Sequence, residues 1–280
     1  MNNFIDWWQH LPEKMNPVIF TIGNFSIQYY GLMYLVAFAI AYMLASRRIR
    51  KEDRFDMGKE ELQGLITAMI LGVLIGGRLG YVLFYNLTYY IRQPLTIILP
   101  FSFAGGFQFT GFAGMSYHGG LIGAFLGILI FSRRHRYDFF TLSDLMAPCI
   151  PLGYTFGRLG NFINGELYGR VTSMNIGMYF PDSPNGLLRH PSQLYEAFFE
   201  GIVLFCVLWP IRGKVRTRGA LLAYYLIGYG VVRFVIEFVR EPDAHLGFIF
   251  LGLSMGQVLC MVMILTGIVL LVLLRRRIRE

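Results

Sequence analysis

The C-terminal stretch Phe248–Arg279, "FIFLGLSMGQVLCMVMILTGIVLLVLLRRRIR", carries no charged residue before Leu274 and then four arginines, Arg275, Arg276, Arg277 and Arg279. About 20 apolar residues cross the hydrocarbon core of a bilayer as a helix. In lipid the backbone has no water to bond, so a spanning segment must satisfy its N–H and C=O groups internally. A basic cluster at the end of such a segment marks its cytoplasmic side. The same pattern recurs upstream: apolar segments run into Arg47-Arg48-Arg50-Lys51-Arg54-Lys59, Arg133-Arg134-Arg136 and Arg212-Lys214-Arg216-Arg218. These four clusters hold 17 of the 25 Lys and Arg.

Composition agrees with a membrane protein. Of the 280 residues 55% are hydrophobic and 15% charged, and the mean hydropathy is +0.51. The net charge of +8 needs no nucleic-acid partner, because membrane topology accounts for the clusters. Placing all four inside predicts an all-α, polytopic fold of about seven transmembrane helices, with the N-terminus outside (periplasmic) and the C-terminus cytoplasmic. The spans are expected over Val18–Ala45, Leu62–Tyr85, His118–Phe131, Thr141–Asn164, Leu194–Trp209, Gly219–Val239 and Phe248–Leu274. The chain reads as one integral membrane domain, 1–280. Within it Gly165–Pro191, with the turn-rich "PDSPNG", forms an external head segment. Tyr85–Tyr117 reads as an external loop with a partly embedded piece.

"MNNFIDWWQHLPEKM" has no basic region followed at once by an apolar one, so no cleaved signal peptide is expected. Trp7 and Trp8 suit interfacial anchors. Cys149, Cys206 and Cys260 lie in apolar segments and read as packing residues. Small residues at helical spacing, Gly72/Gly76, Gly119/Gly123/Gly127 and Gly153/Gly157, predict close helix approach in lipid.

Against this background, "FGRLGNFINGELYGR" (Phe156–Arg170) places Arg158, Asn161, Asn164, Glu166 and Arg170 at the outer end of a span. An arginine in a span costs at least ~2.5–3.5 kcal/mol on insertion scales, so it normally faces a polar interior. Arg78 and Arg233 raise the same question. By depth, His118, Arg158, Glu166 and Arg233 converge on the outer half of the membrane. Plain structural alternatives stand beside each. Arg233 and Glu237, four apart on one face, could form only a buried ion pair. Asn161 could make an interhelical hydrogen bond. Ser192 and Glu196 in "HPSQLYEA" read as helix-start residues. Several arginines at one depth suit a phosphate, and in a bilayer the abundant phosphates belong to lipid head groups. His118, between Tyr117 and Gly119-Gly120, suits a general base near neutral pH.

These motifs resemble the prolipoprotein diacylglyceryl transferase family. "GRLGNFINGELYGR" (157–170) resembles its signature stretch. "YYGLMYLVAF" (29–38), "MSYHGGLIG" (115–123), "RHPSQLYEA" (189–197) and "YGVVRFVIEFVREPD" (229–243) resemble further blocks in family order. One departure is the Gly/Phe-rich 101–114 before Met115-Ser116. The resemblance implies transfer of diacylglyceryl from phosphatidylglycerol to the lipobox cysteine of a prolipoprotein, at the bacterial inner membrane, with loss of glycerol phosphate. It carries site roles to Tyr30, His118, Arg158, Asn161, Glu166, Arg233 and Glu237. Of these, Arg158, Asn161, Arg233 and Glu237 bind phosphatidylglycerol. His118 is the expected base, and Glu166 orients Arg158 or serves as an alternative base. No metal or cofactor is expected. A lipid transporter would want the same arginines without a base. An intramembrane hydrolase would want a G-x-S-x-G elbow or an H-E-x-x-H pair; no H-E-x-x-H occurs, and the G-x-S-x-G spacing occurs once, as "GLSMG" (Gly252–Gly256) at the head of the last apolar run.

Overall fold

The computed structural model describes residues 2–22, 25–85, 87–97, 101–102, 108–109, 115–241, 248–250 and 252–279, with only the backbone described for a few, His118 among them. The described chain is mostly helical. Four helices are long and apolar enough to cross a membrane: Tyr29–Lys51, Lys59–Leu83, Ser192–Ile211 and Met255–Arg276. Large apolar side chains stand exposed along them, among them Leu71, Leu74 and Ile75, and Leu265, Val269 and Leu273. Such continuous apolar exposure suits lipid and not water. The residues group into two compact units, Met1–Glu52 with Ser143–Glu280, and Asp53–Leu142.

In the second unit, α3 (Lys59–Tyr85) packs on α5 (Tyr117–His135), with α4 (Leu87–Arg92) and the short strands β3 (Phe101–Ser102) and β4 (Gln108–Phe109) between them in sequence. In this helix pair the glycine spacing does what it predicted, whereas a Cβ on Gly157, also expected at a close approach, would meet nothing within 4 Å. A Cβ on Gly76 would lie 2.8 Å from the Gly123 Cα, and one on Gly80 would lie 2.8 Å from the Gly119 Cα. Only glycine lets the two backbones touch there. Ser116 caps α5 by accepting from the Gly119 N–H at 3.3 Å. Arg78 is absorbed locally. It donates to the Ile97 and Thr96 carbonyls at 3.0 and 2.6 Å and lies over the Tyr90 ring. Most of the unusual 101–114 stretch lies outside the described residues.

The first unit opens with α1 (Asn2–Gln9) and the hairpin β1 (Val18–Ile22)–β2 (Phe25–Gln28), followed by α2 (Tyr29–Lys51). The expected first span thus begins eleven residues too early: Val18–Ile22 and Phe25–Gln28 are paired strands, the first favoured by the β-branched Val18, Ile19, Thr21 and Ile22. The expected fourth span is likewise two helices, α6 (Phe139–Met146) and α7 (Ile150–Ile163). Pro148 and Pro151 explain the break, since proline lacks an N–H and clashes with the preceding turn. Next come α8 (Ser192–Tyr195), a π-helical stretch (Glu196–Val203) and α9 (Leu204–Ile211), which run on as one helix. Then follow α10 (Ala220–Ile236), strands β5 (Phe248–Phe250) and β6 (Leu253–Ser254), and α11 (Met255–Arg279). The seventh expected span therefore starts at Met255. The α10–α11 pair closes over Gly230 and Gly267, where a Cβ would meet Ile264 and Ile227.

Arg48 belongs to the first basic cluster yet is buried. It donates to the Leu145 carbonyl at 2.7 Å and, through Nε and Nη2, to both Glu52 oxygens at 2.8 Å. Asp144 accepts from the Gly219 and Leu222 N–H groups at 2.8 and 2.9 Å and so caps α10. Together they tie α2, α6 and α10 at one end of the unit.

Candidate active site

On α7, Tyr154, Arg158 and Asn161 sit at spacings of four and three, so they share one face. Gly160 thins that helix where Tyr30, in the first turn of α2, approaches; a Cβ there would be 3.4 Å from the Tyr30 ring. The Tyr30 hydroxyl bonds the Tyr34 hydroxyl at 3.0 Å. The π-helical stretch supplies Glu196 and Glu200, both 0% exposed. A π segment leaves carbonyls without their usual α-helical partners, and the Thr155 hydroxyl donates to that of Ala197 at 3.2 Å. Gly201 makes this contact possible, because a Cβ would overlap the Thr155 side chain. From α10 come Arg233 and, at its end, Glu237.

Glu196 is the hub. Its Oε2 lies 2.8 Å from Arg158 Nε and 2.9 Å from Arg233 Nη1, and its Oε1 is 3.4 Å from Arg240 Nη1. The Tyr154 hydroxyl accepts from Arg158 Nε at 2.6 Å and donates to Glu200 at 2.6 Å, with Glu196 at 3.3 Å. Arg233 also pairs with Glu237 at 3.1 Å and Glu200 at 3.5 Å. Glu237 in turn accepts from the Ser254 hydroxyl at 2.9 Å. Charges removed from water must be paired to be tolerated, and three helices here pair theirs with one another.

A polar chain leads out of this cluster. Arg158 Nη1 donates to Asn161 Oδ1 at 3.3 Å, and Asn161 Nδ2 donates to Glu166 at 2.8 Å. The turn carrying Glu166 has two positive φ angles, Gly165 at 68° and Leu167 at 58°. It is held in that shape from α8: the Gln193 amide donates to the Glu166 carbonyl at 2.7 Å and the Ser192 hydroxyl to that of Leu167 at 3.0 Å. The segment 165–191 is built around Phe162, Met178 and Phe180, with Trp8, Leu11 and Tyr168 packed on them. Trp8 Nε1 donates to the Ile176 carbonyl at 3.1 Å, whereas Trp7 is exposed. Gly169 bonds the His190 carbonyl at 2.8 Å and bridges Arg240, so this segment is stitched to the end of α10. Any side chain at Gly169 would strike His190.

Of the residues singled out by sequence, Arg158, Asn161 and Glu166 form one chain, and Arg233 and Glu237 one pair. Glu196 joins the two groups. Among the described contacts Glu166 is linked to Arg158 through Asn161, a route compatible with the expected orienting role. Glu196 is more than a helix-start residue: it lies buried among arginines, and Ser192 bonds Leu167 rather than capping its own helix. His118 is the second residue of α5, in the unit Asp53–Leu142, and its side chain lies outside the described residues. Sequence reasoning passed over Tyr154, Glu200 and Arg240. The available signal was two carboxylates four apart in an apolar run, beside arginines that had too few partners. Among the described residues no group of three or more His, Cys, Asp or Glu is placed to hold a metal.

Comparison with known proteins follows the same residues. The family described as prolipoprotein diacylglyceryl transferase matches residues 17–273. A relative from Chlorobaculum tepidum named phosphatidylglycerol–prolipoprotein diacylglyceryl transferase is 56% identical, covering 99% of this chain and 96% of its own. Relatives of the same name from Bordetella parapertussis and Rickettsia bellii are 50% and 44% identical over 91% and 92% of this chain, and 93% and 95% of theirs. With the match spanning all the site helices described above, this chain belongs to the prolipoprotein diacylglyceryl transferase family.

Proposed function

We propose that this chain moves the diacylglyceryl group of phosphatidylglycerol onto the lipobox cysteine thiol of prolipoproteins, the first step of lipoprotein maturation. One observation carries the assignment of the site: Arg158 and Arg233, from different helices, converge within 3 Å of the same buried carboxylate. Each guanidinium has five N–H groups. Glu196, Tyr154 and Asn161 engage part of the Arg158 set, and Glu196, Glu200 and Glu237 part of the Arg233 set; the N–H groups left over suit the oxygens of a lipid phosphodiester.

The bond that forms joins the cysteine sulfur to a glycerol carbon. The bond that breaks is that carbon's link to the phosphate oxygen, which keeps the electron pair and leaves as glycerol phosphate. The thiolate is the effective nucleophile, and a free cysteine has a pKa near ~8.5. His118 takes the thiol proton. Arg158 and Arg233 hold the phosphate and stabilise the charge that grows on it in the transition state. Glu237 orients Arg233. Asn161, backed by Glu166, orients Arg158, and Tyr30 completes the polar wall.

The chain works as one multi-pass domain of the bacterial inner membrane, crossing it about seven times with the N-terminus outside. The four basic clusters support this arrangement. The four long helices, α5, the broken α6–α7 pair and α10 supply the crossings. The segment 165–191 then stands on the outer face, where the prolipoprotein cysteine arrives.

The test is mass spectrometry of purified protein in detergent with phosphatidylglycerol and a lipobox peptide. The peptide gains one diacylglyceryl mass and glycerol phosphate appears. Arg158→Ala abolishes the product, and His118→Gln reduces it. Intact peptide and lipid with folded protein would reject transfer, and lipid movement without chemistry would point to a transporter.

A further inference from the structure

The arginine cluster is electrically complete before any substrate arrives. Arg158, Arg233 and Arg240 face Glu196, Glu200 and Glu237, three charges against three. The phosphodiester of phosphatidylglycerol brings one further negative charge. In a buried site that surplus is poorly screened. A group that gives up its charge when the phosphate enters removes the surplus.

Glu200 is built for this. Glu196 contacts all three arginines. Glu237 has Arg233 at 3.1 Å from its Oε2, which like Glu200 Oε1 accepts no hydrogen bond among the described residues, but its Oε1 accepts from the Ser254 hydroxyl at 2.9 Å. Glu200 has one arginine contact, at 3.5 Å, and its Oε1 accepts no hydrogen bond among the described residues. Its remaining partner is the Tyr154 hydroxyl at 2.6 Å, which also lies 3.3 Å from Glu196. A hydroxyl has one proton to donate, so Tyr154 cannot serve both carboxylates at once. Among the described residues, the charged and titratable groups around Glu200 are Tyr154 and Arg158 from α7, Glu196 on its own helix, Arg233 from α10 with Tyr229 packed edge-on against Tyr154, and Cys260 from α11. None of these is a better site for the extra proton. The arginines stay charged, and Glu196 is held by three of them. The π-helical turn sets Glu196 and Glu200 toward the same tyrosine, and Gly201 lets that turn close onto α7.

We infer that Glu200 takes up one proton from solvent when a phosphatidylglycerol phosphate binds between Arg158 and Arg233, so that the cluster stays neutral with the lipid in place. Glu200 is thus a positioning residue acting through Tyr154 and the arginines. The inference rests on the phosphate site proposed above.

The experiment is calorimetric titration of short-chain phosphatidylglycerol into the full chain in detergent, in two buffers of different ionisation enthalpy. The wild-type protein should take up about one proton per lipid bound, and its Kd should weaken by about tenfold per pH unit on the alkaline side. Glu200→Gln should bind the lipid with no proton uptake and a flat pH dependence, whereas Glu237→Gln should keep the uptake. A protonated-carboxyl stretch appearing in infrared difference spectra of the wild-type complex is a second readout that needs no variant. Binding without proton uptake, or unchanged uptake in Glu200→Gln, overturns this inference alone. Absence of binding by folded wild-type protein overturns the phosphate site and the inference together.

Discussion

Replacing Glu196 by Gln preserves volume, so its effect isolates the hub's charge. Glu196 is the carboxylate partner of both Arg158 and Arg240 among the described residues, while Arg233 retains Glu200 and Glu237. After substitution Arg158 keeps only neutral partners, Tyr154 and Asn161. Removing one partner of a buried ion pair costs about 3–5 kcal/mol, because the other charge is left uncompensated. That is a large share of a total stability of about 5–15 kcal/mol. At about 2–4 °C per kcal/mol, the melting temperature in detergent should fall by roughly 6–20 °C. Transfer should slow by about 100-fold or more, since Arg158 loses the contact that aims it. Phosphatidylglycerol should raise the variant's melting temperature more than the wild type's, because the lipid phosphate restores the missing negative charge. Glu237→Gln is the control: Arg233 keeps two carboxylates, so it should cost less, about 1–3 kcal/mol. A Glu196→Gln protein melting within ~3 °C of wild type would refute the hub.

Arg158→Lys should lower transfer by about 100-fold or more at nearly unchanged KM for the peptide, because an ammonium cannot reach Tyr154, Glu196 and a phosphate in one plane; steady-state kinetics checks it. Gly123→Leu should destabilise the α3–α5 pair by more than the ~1–3 kcal/mol typical of overpacking, because the contact is backbone on backbone and cannot yield; detergent melting or proteolysis reads this out. Burial pulls the His190 imidazole, outside the spanning segments and bonded to the Tyr195 hydroxyl, below its ordinary pKa. The folded state therefore binds fewer protons than the unfolded one. Stability is complete above about pH 6.5 and declines as pH falls through the lower folded value. His190→Gln should flatten that acid limb in a melting series.

Membrane character, the basic clusters and the glycine contacts were legible because each is set by local composition or by a fixed helical period. Element boundaries were less so. Val18–Gln28 reads as mostly apolar, and its β-branched content together with the Gly23-Asn24 pair was the signal for a hairpin. The stretch 139–163 reads as one apolar run until Pro148 and Pro151 are given weight. Arg48 shows the limit of counting charges. It sits in a cluster read from sequence as a topology signal, yet its own guanidinium is buried against α6 and Glu52.

The site was half legible for a related reason. Arginines in apolar spans announce themselves, since each is costly there, and so Arg158 and Arg233 stood out. What each one pairs with depends on how the helices meet, which no single helix encodes. Glu237 was found because it lies four residues from Arg233 on the same helix. Glu196 and Glu200 were not, because their partners come from α7 and α10 and their own helix must widen into a π turn to face them. The same reasoning says what the carboxylates are for. An arginine pair able to hold a lipid phosphate cannot stand unpaired in the bundle before the lipid arrives. On the function proposed above, the carboxylates that neutralise Arg158 and Arg233 compete with the lipid phosphate, and binding must shift or neutralise one of them. Glu196, touching three arginines, sets the resting geometry. Glu200, with one long arginine contact and a shared hydroxyl, is the one inferred to yield.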